Sequence, residues 1–346
     1  MARAIKREKA IPDNVARELQ KWLLTRQGSP NYDLIVEMLQ EVLELSGGER
    51  DRGALKVLAR ALTELSHAFE IFAPYRSIRK VSMFGSTRVR KGEPYYEMAA
   101  ELARRLIQEG FMVITGAGDG IMQAGHDGAG RERSFGVNIE LPFRQRANRF
   151  IAGDPKLMTF HFFFTRKLIF VKEGDAFVFF PGGFGTHDEA LETLTLAQTG
   201  KSQIVPILLV DLPGKDYWRD WESWVRKRLL MDGFISEQDL CLFKIVEEIE
   251  AAVGEIKRFY RNYHSYRFVK HHLVIRLLHP PAEELIEKLN RDFRDILTQG
   301  KVRETGPLPD ESDDPDSLSY PRLLVPFNRR DFGRLRQMID VINEEN

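Results

Sequence analysis

The chain has 346 residues, more than one compact domain usually holds, and its 43% hydrophobic content is enough for a sizeable core. Fifty-one basic residues balance 51 acidic ones, so no overall field draws the protein to nucleic acid or an anionic membrane, and any anion site must be local. The single cysteine, Cys241, excludes an intramolecular disulfide framework and a multi-cysteine metal site, and reads as a buried apolar filler.

The first residues, MARAIKREKAIPDN, are basic but lead into no apolar signal core, and no run of about 18 apolar residues occurs. A soluble, cytoplasmic protein is expected. Residues 1–75 form the first part of the chain, where apolar residues recur every three or four positions over 15–24, 34–45 and 55–72. That spacing predicts three helices, with Gly47-Gly48 as a stop before the third. No catalytic constellation falls here, and the expected role is packing on a central domain or on a second subunit.

The central domain is expected over 76–262. A short apolar strand over 80–85 runs into Gly85-Ser86-Thr87-Arg88 and then a helix over 95–109, the way a dinucleotide-type half begins. Met112–Thr115 reads as the next strand, followed by the loop Gly116-Ala117-Gly118-Asp119-Gly120-Ile121-Met122. Asp119 would repel a phosphate and reads first as the N-cap of a helix to Gly130. A third strand is expected over 134–141, then a basic loop over 143–150 that reads as a solvated face. Residues 161–167 lead into a helix ending near Lys172, on which Arg166 taken alone reads as a surface charge.

Residues 175–192, DAFVFFPGGFGTHDEALE, carry the strongest signal. The apolar run 176–180 suits a strand covered on both faces. Pro181-Gly182-Gly183-Phe184-Gly185-Thr186 breaks it, and from His187 a helix is expected with Ala190, Leu191, Leu194 and Ala197 on its apolar face. A helix N-terminus has unpaired N–H groups and about half a positive charge, and glycines let the backbone approach an anion, so a phosphate fits there. Thr186 can cap the helix or donate to a phosphate oxygen. Glu189 is placed in the first turn, either beside a ligand or simply where helices favour acidic residues.

Further strands are expected over 204–210 and in 242–259, which also holds a helix, and a helix over 217–230 carries Trp218, Trp221 and Trp224. Packing is the commoner role for such a stripe than stacking on a nucleobase. The order throughout predicts an α/β, Rossmann-like, doubly wound parallel sheet with ligands at the strand C-termini. Residues 263–346 change to a small α+β module, with strands over 272–278, 301–304 and 322–327 and helices over 282–297 and 332–342. Its 306–319 segment, with five acids and three prolines, reads as a mobile loop. His271 and His272 would point to opposite faces of a strand, which argues against a metal site.

PGGFGTHDE resembles the PGGxGTxxE signature of the LONELY GUY family, the nucleoside 5′-monophosphate phosphoribohydrolases often mislabelled lysine decarboxylases. The similarity runs from about Arg79 to about Val253, and a longer bacterial branch resembles the chain to its C-terminus. Gly116 to Met122 is similar to the family's TGGGPGIM loop, with Ala117 and Asp119 as departures, which implies that Gly118 and Gly120 line the site. Arg166 matches the family's catalytic arginine, while Phe164 stands where short members commonly have histidine.

The resemblance implies hydrolysis of an N-glycosidic bond, giving free base and ribose 5-phosphate with no metal or organic cofactor. Glu189 supplies the carboxylate and Arg166 orients the sugar. Gly182, Gly183, Gly185 and Thr186 hold the phosphate, with Gly85 and Ser86 counted beside them. The implied partners are a small-molecule nucleotide and a second copy of the chain, in a homodimer or higher homo-oligomer. The alternative is a carrier or sensor that holds a nucleotide or molybdenum-cofactor-like ligand without turning it over.

Overall fold

A computed structural model describes residues 13–29, 31–46, 51–142 and 146–344; the Gly47-Gly48 stop and part of the basic loop lie outside them. The chain divides into two compact units, Met1–Thr63 and Glu64–Asn346. The first holds α1 (Asp13–Arg26), α2 (Tyr32–Ser46) and the start of α3 (Arg52–Phe72), so all three expected helices are present. Many of their apolar residues, among them Leu24, Val42 and Leu62, are exposed.

The end of α3 belongs to the second unit. There Glu64 is buried and accepts hydrogen bonds from His161 N (2.8 Å) and Thr165 Oγ1 (2.7 Å), while the Phe72 ring stacks on Phe135 at 4.3 Å. This ties the helix to the element that carries Arg166.

Seven parallel strands form the main sheet: β1 (Lys80–Phe84), β2 (Met112–Thr115), β3 (Ser134–Ile139), β4 (Leu157–Phe160), β5 (Ala176–Phe179), β6 (Ile207–Val210) and β7 (Lys244–Val246). Their order is β4-β3-β2-β1-β5-β6-β7, with Val81 opposite Ala176 and Phe84 opposite Phe179. Alternate residues of each strand feed two cores. Val81, Met83, Val178 and Leu208 meet α4 (Pro94–Gln108), α5 (Ile121–Ala129) and α9 (Ile249–Phe259), while Phe84, Phe177, Phe179 and Leu209 face α6 (Phe163–Glu173), α7 (Phe184–Gln198) and α8 (Tyr217–Val225). Each fully buried phenylalanine contributes about 1.5–3 kcal/mol. Burial on both faces explains the continuous apolar runs, and the fold is the α/β, Rossmann-like one. Strand order reverses between β1 and β5, where such sheets open a ligand crevice at the strand C-termini.

The C-terminal residues build a second, antiparallel sheet in the order β10-β11-β9-β8, from β8 (Tyr263–Val269), β9 (His272–Leu277), β10 (Arg303–Thr305) and β11 (Arg322–Val325), with α10 (Glu283–Asp292) and α11 (Phe332–Glu344). Two strands escape the sequence reading. β4 is a four-residue edge, and β8 mixes polar and apolar residues and turns into β9 through Lys270 at φ 54°, without a glycine to mark the hairpin.

This module packs on the central sheet's helices. Asn343 Oδ1 accepts from the backbone N–H groups of Asn262 and Tyr263 (2.8 and 2.9 Å), Arg336 pairs with Glu255 at 2.6 Å, and the Phe332 ring fills the space beside Gly200. The acidic 306–319 segment, expected to be mobile, is instead tied down. Glu311 is fully buried between Arg276 (2.9 Å) and Arg322 (3.3 Å), and Asp314 pairs with Arg276 at 2.7 Å. Two buried guanidinium groups need carboxylates, and this segment supplies them.

Cys241 is half-buried and accepts a hydrogen bond from Gln337 Nε2 at 2.9 Å, so it is not the apolar filler its isolation suggests. Trp218 is fully buried and meets Trp221 edge-on at 5.9 Å, whereas Trp224 is exposed, so the tryptophan stripe is a packing feature. No described helix is long and apolar enough to cross a membrane.

Candidate active site

A cavity of about 850 Å³ opens at the β1/β5 reversal. The loop after β1 contributes Gly85 and Ser86, the turn after β5 contributes Gly182 and Gly183, α6 contributes Arg166, and α7 contributes Gly185, Thr186 and Glu189. The two loops are stitched together by Ser86 N–H donating to Pro181 O at 3.0 Å. Eight of the residues singled out from the sequence therefore share one cavity.

α7 starts at Phe184, three residues earlier than expected, with Gly183 as N-cap and no side chain capping it. The first intrahelical bonds run from Thr186 and His187 N–H to Gly183 O (3.0 and 3.2 Å), and the N–H groups of Phe184 and Gly185 precede them. Thr186 is thus a buried first-turn residue rather than the cap, packed against Gly182, where any Cβ would lie 2.1 Å from its Oγ1. Gly183 and Gly185 have no atom within 4 Å of where a Cβ would project.

The early start puts Glu189 in the second turn, facing inward with its side chain only 5% exposed. A preference of first turns for acidic residues does not account for a carboxylate there. Burial pushes its pKa up to about 7, against the opposing pull of Lys167 and Arg166. Arg166 Nη2 lies 3.5 Å from Glu189 Oε1, with the guanidinium 4.9 Å from the Phe163 ring centroid. Burial lowers the Arg166 pKa, partly offset by the Glu189 charge, and its Nε is buried with no hydrogen-bond partner. The arginine is part of the site wall, not a surface charge. Lys167, which the sequence did not single out, is 2.8 Å from Asp188, 2.6 Å from Glu192 and 3.8 Å from Glu189. Its one signal is its place beside Arg166.

Gly118 and Gly120 do not line this cavity. Gly120 adopts φ 66° and presses on the β1 loop, where a Cβ would lie 2.1 Å from Ser86 O, and Gly118 O accepts from Asn148 Nδ2 at 3.0 Å. Asp119 is exposed and is not the N-cap; that place is Gly120's, and Ile121 N–H donates to Ser86 O at 3.0 Å instead. Ala117 sits at φ 60°, a left-handed conformation that favours the glycine of the resembling motif. Asn148 N and Nδ2 hold its carbonyl at 2.8 and 3.1 Å. Behind Asn148, burial drives the His126 pKa down to about 4, and the neutral ring donates from Nε2 to Phe135 O at 3.1 Å. This second loop braces the first, and it reaches the cavity through its ends, Gly116 and Met122.

Comparison with known proteins bears on the same stretch. A family model described as "Possible lysine decarboxylase" matches residues 117–256. The cytokinin riboside 5′-monophosphate phosphoribohydrolases LOG3 and LOG2 of Arabidopsis thaliana are 30% and 32% identical over 163 residues, 46% of this chain and 72% and 73% of theirs. The enzyme of that name from Rhodococcoides fascians is 27% identical over 184 residues, 52% of this chain and 89% of its own. Among solved structures, the molybdenum cofactor carrier protein of Chlamydomonas reinhardtii is 15% identical with a TM-score of 0.38, covering 52% of this chain and 97% of that one. The glycine turn, its carboxylate and a 30% identity that spans most of a relative's length place this chain in the LONELY GUY (LOG) family.

Proposed function

We propose that the protein hydrolyses the N-glycosidic bond of nucleoside 5′-monophosphates, releasing free base and ribose 5-phosphate. The observation that carries this is a buried carboxylate, Glu189, paired with a half-buried arginine in the same cavity as an uncovered glycine turn. Cleavage builds positive charge on the sugar, so a carboxylate with a pKa near neutrality is suited both to stabilise that charge and to take a proton from the attacking water. Water adds at the sugar carbon and gives a proton to Glu189 as the bond to the base breaks; the bond's electron pair leaves with the base, which then takes up that proton. The N–H groups of Gly183, Phe184 and Gly185 hold the phosphate, and the guanidinium of Arg166 orients sugar oxygens. Gly118 and Gly120 act behind this surface.

A passive carrier of the same ligand gains nothing from a buried carboxylate beside an anion cradle, because the two charges repel. Exposed Phe163, Phe164 and Leu168 on α6 and Phe184 on α7, the last 95% exposed, are apolar faces that we assign to assembly as at least a dimer. Incubation with a panel of nucleotides, followed by chromatography, should show free base and ribose 5-phosphate in equal amounts. Intact nucleotides throughout the panel would remove the hydrolase reading.

A further inference from the structure

We infer that Tyr217 is a positioning residue that locks one peptide plane of the glycine turn, the Gly182–Gly183 peptide, with its N–H turned toward the ligand. Tyr217 begins α8 and lies 35 residues beyond Gly182 in sequence, outside the family signature. Its hydroxyl donates to Gly182 O at 2.5 Å and lies 2.7 Å from His187 Nε2. Since the tyrosine proton is committed to the carbonyl, the ring nitrogen must be the donor to Oη. The order is therefore His187 Nε2–H to Tyr217 Oη–H to Gly182 O. Burial lowers the His187 pKa, which keeps the ring neutral for this role.

The carbonyl of Gly182 and the N–H of Gly183 belong to one planar trans peptide and point in opposite directions. Fixing the carbonyl on Tyr217 therefore aims the Gly183 N–H the other way. The lock is needed because glycines flank this peptide on both sides and no Cβ resists its rotation. Gly182 has to be glycine, since Thr186 occupies the space of a side chain, and Gly183 is open on the side where a Cβ would project.

Tyr217 is itself held. The buried carboxylate of Asp211, at the end of β6, accepts from Trp218 N–H at 3.3 Å and from Tyr95 Oη at 2.6 Å, and the Trp218 ring meets Tyr217 edge-on at 5.0 Å. The β6–α8 connection thus sets the geometry of the β5–α7 turn.

This inference rests on the phosphate-cradle reading above, so the test measures binding of inorganic phosphate and ribose 5-phosphate by calorimetry, independent of turnover. Tyr217→Phe keeps the ring and its packing and removes the hydroxyl. It should weaken both ligands roughly tenfold while the melting temperature stays within a few degrees. In turnover, the loss should fall on the monophosphate and spare the nucleoside, a split that a general loosening of the fold does not produce. Wild-type affinity in Tyr217→Phe overturns the lock. If that variant melts substantially earlier, His187→Leu and His187→Gln decide. Leucine removes the side-chain donor to Oη, leaving only the longer contact from Gly182 N–H at 3.4 Å, and should weaken phosphate, whereas glutamine keeps an N–H and should restore it; equal affinities for the two overturn the lock as well. Failure of the wild type to bind either ligand would count against the cradle itself, a separate result from a normal wild type with an unaffected Tyr217→Phe.

Discussion

Glu189 is a charged group that the fold makes costly. Its carboxyl has an ordinary value of 4.5 and is raised to about 7 in the folded protein, chiefly by burial. A raised folded-state pKa means that the associated stability is fully present below 4.5 and is lost as pH climbs toward 7. At pH 8 the ionised carboxylate therefore strains the native state. Glu189→Gln should cut turnover by roughly two to four powers of ten, yet melt higher than wild type at pH 8, with the gain shrinking toward pH 4.5. Parallel rate measurements and melting curves check both halves, and wild-type turnover in the variant would take Glu189 out of the mechanism. Glu189 was legible in the sequence because a short motif carries it. The burial of Arg166 was not, since a helix read alone cannot show that its arginine ends beside a carboxylate from the next helix.

At the level of elements, the site is a strand–turn–helix unit braced from three sides: the β1 loop, the Gly116–Met122 loop behind it, and the start of α8. The strand and the glycine turn could be read from the apolar run and its break. The start of α7 could not, because glycines and a phenylalanine look like loop residues until Gly183 caps the helix. Asp119 misled for a related reason. Aspartate is a favoured N-cap, but the β1 loop carbonyl of Ser86 already takes the first amide of α5. Gly183 offers a clean test of the turn, for its φ of −88° suits any residue and nothing lies within 4 Å of a Cβ there. Gly183→Val should lower the melting temperature by only a few degrees, the cost of valine at an N-cap, and weaken phosphate binding by at least about tenfold; unchanged affinity would move the anion elsewhere.

Across the whole molecule, the parallel sheet was readable from strand and helix alternation, whereas the C-terminal module was only partly so. Its missing strand, β8, carries a mixed polar and apolar pattern and turns into β9 with no glycine to mark the hairpin, and the pinning of the acidic segment depends on Arg276, 35 residues from Glu311, and on Arg322. The module is bound to the central domain by α11, which buries Phe332, Leu335, Met338, Ile339 and Ile342. Truncation after Asn262 strips that cover from α9, so the shortened chain should melt well below the full one or fail to stay soluble, as thermal unfolding and size-exclusion chromatography would show. An unchanged melting temperature would make the module an appendage.

In the proposed reaction the turn after β5 grips a phosphate while Glu189 acts on the sugar bond. The most direct measurement is the ratio of specificity constants for a nucleoside 5′-monophosphate and its parent nucleoside with the wild-type protein. Binding energy from the phosphate orients the sugar for reaction, so the monophosphate should be favoured by about two powers of ten or more. Equal constants for the two would mean that the turn after β5 grips no phosphate during the reaction.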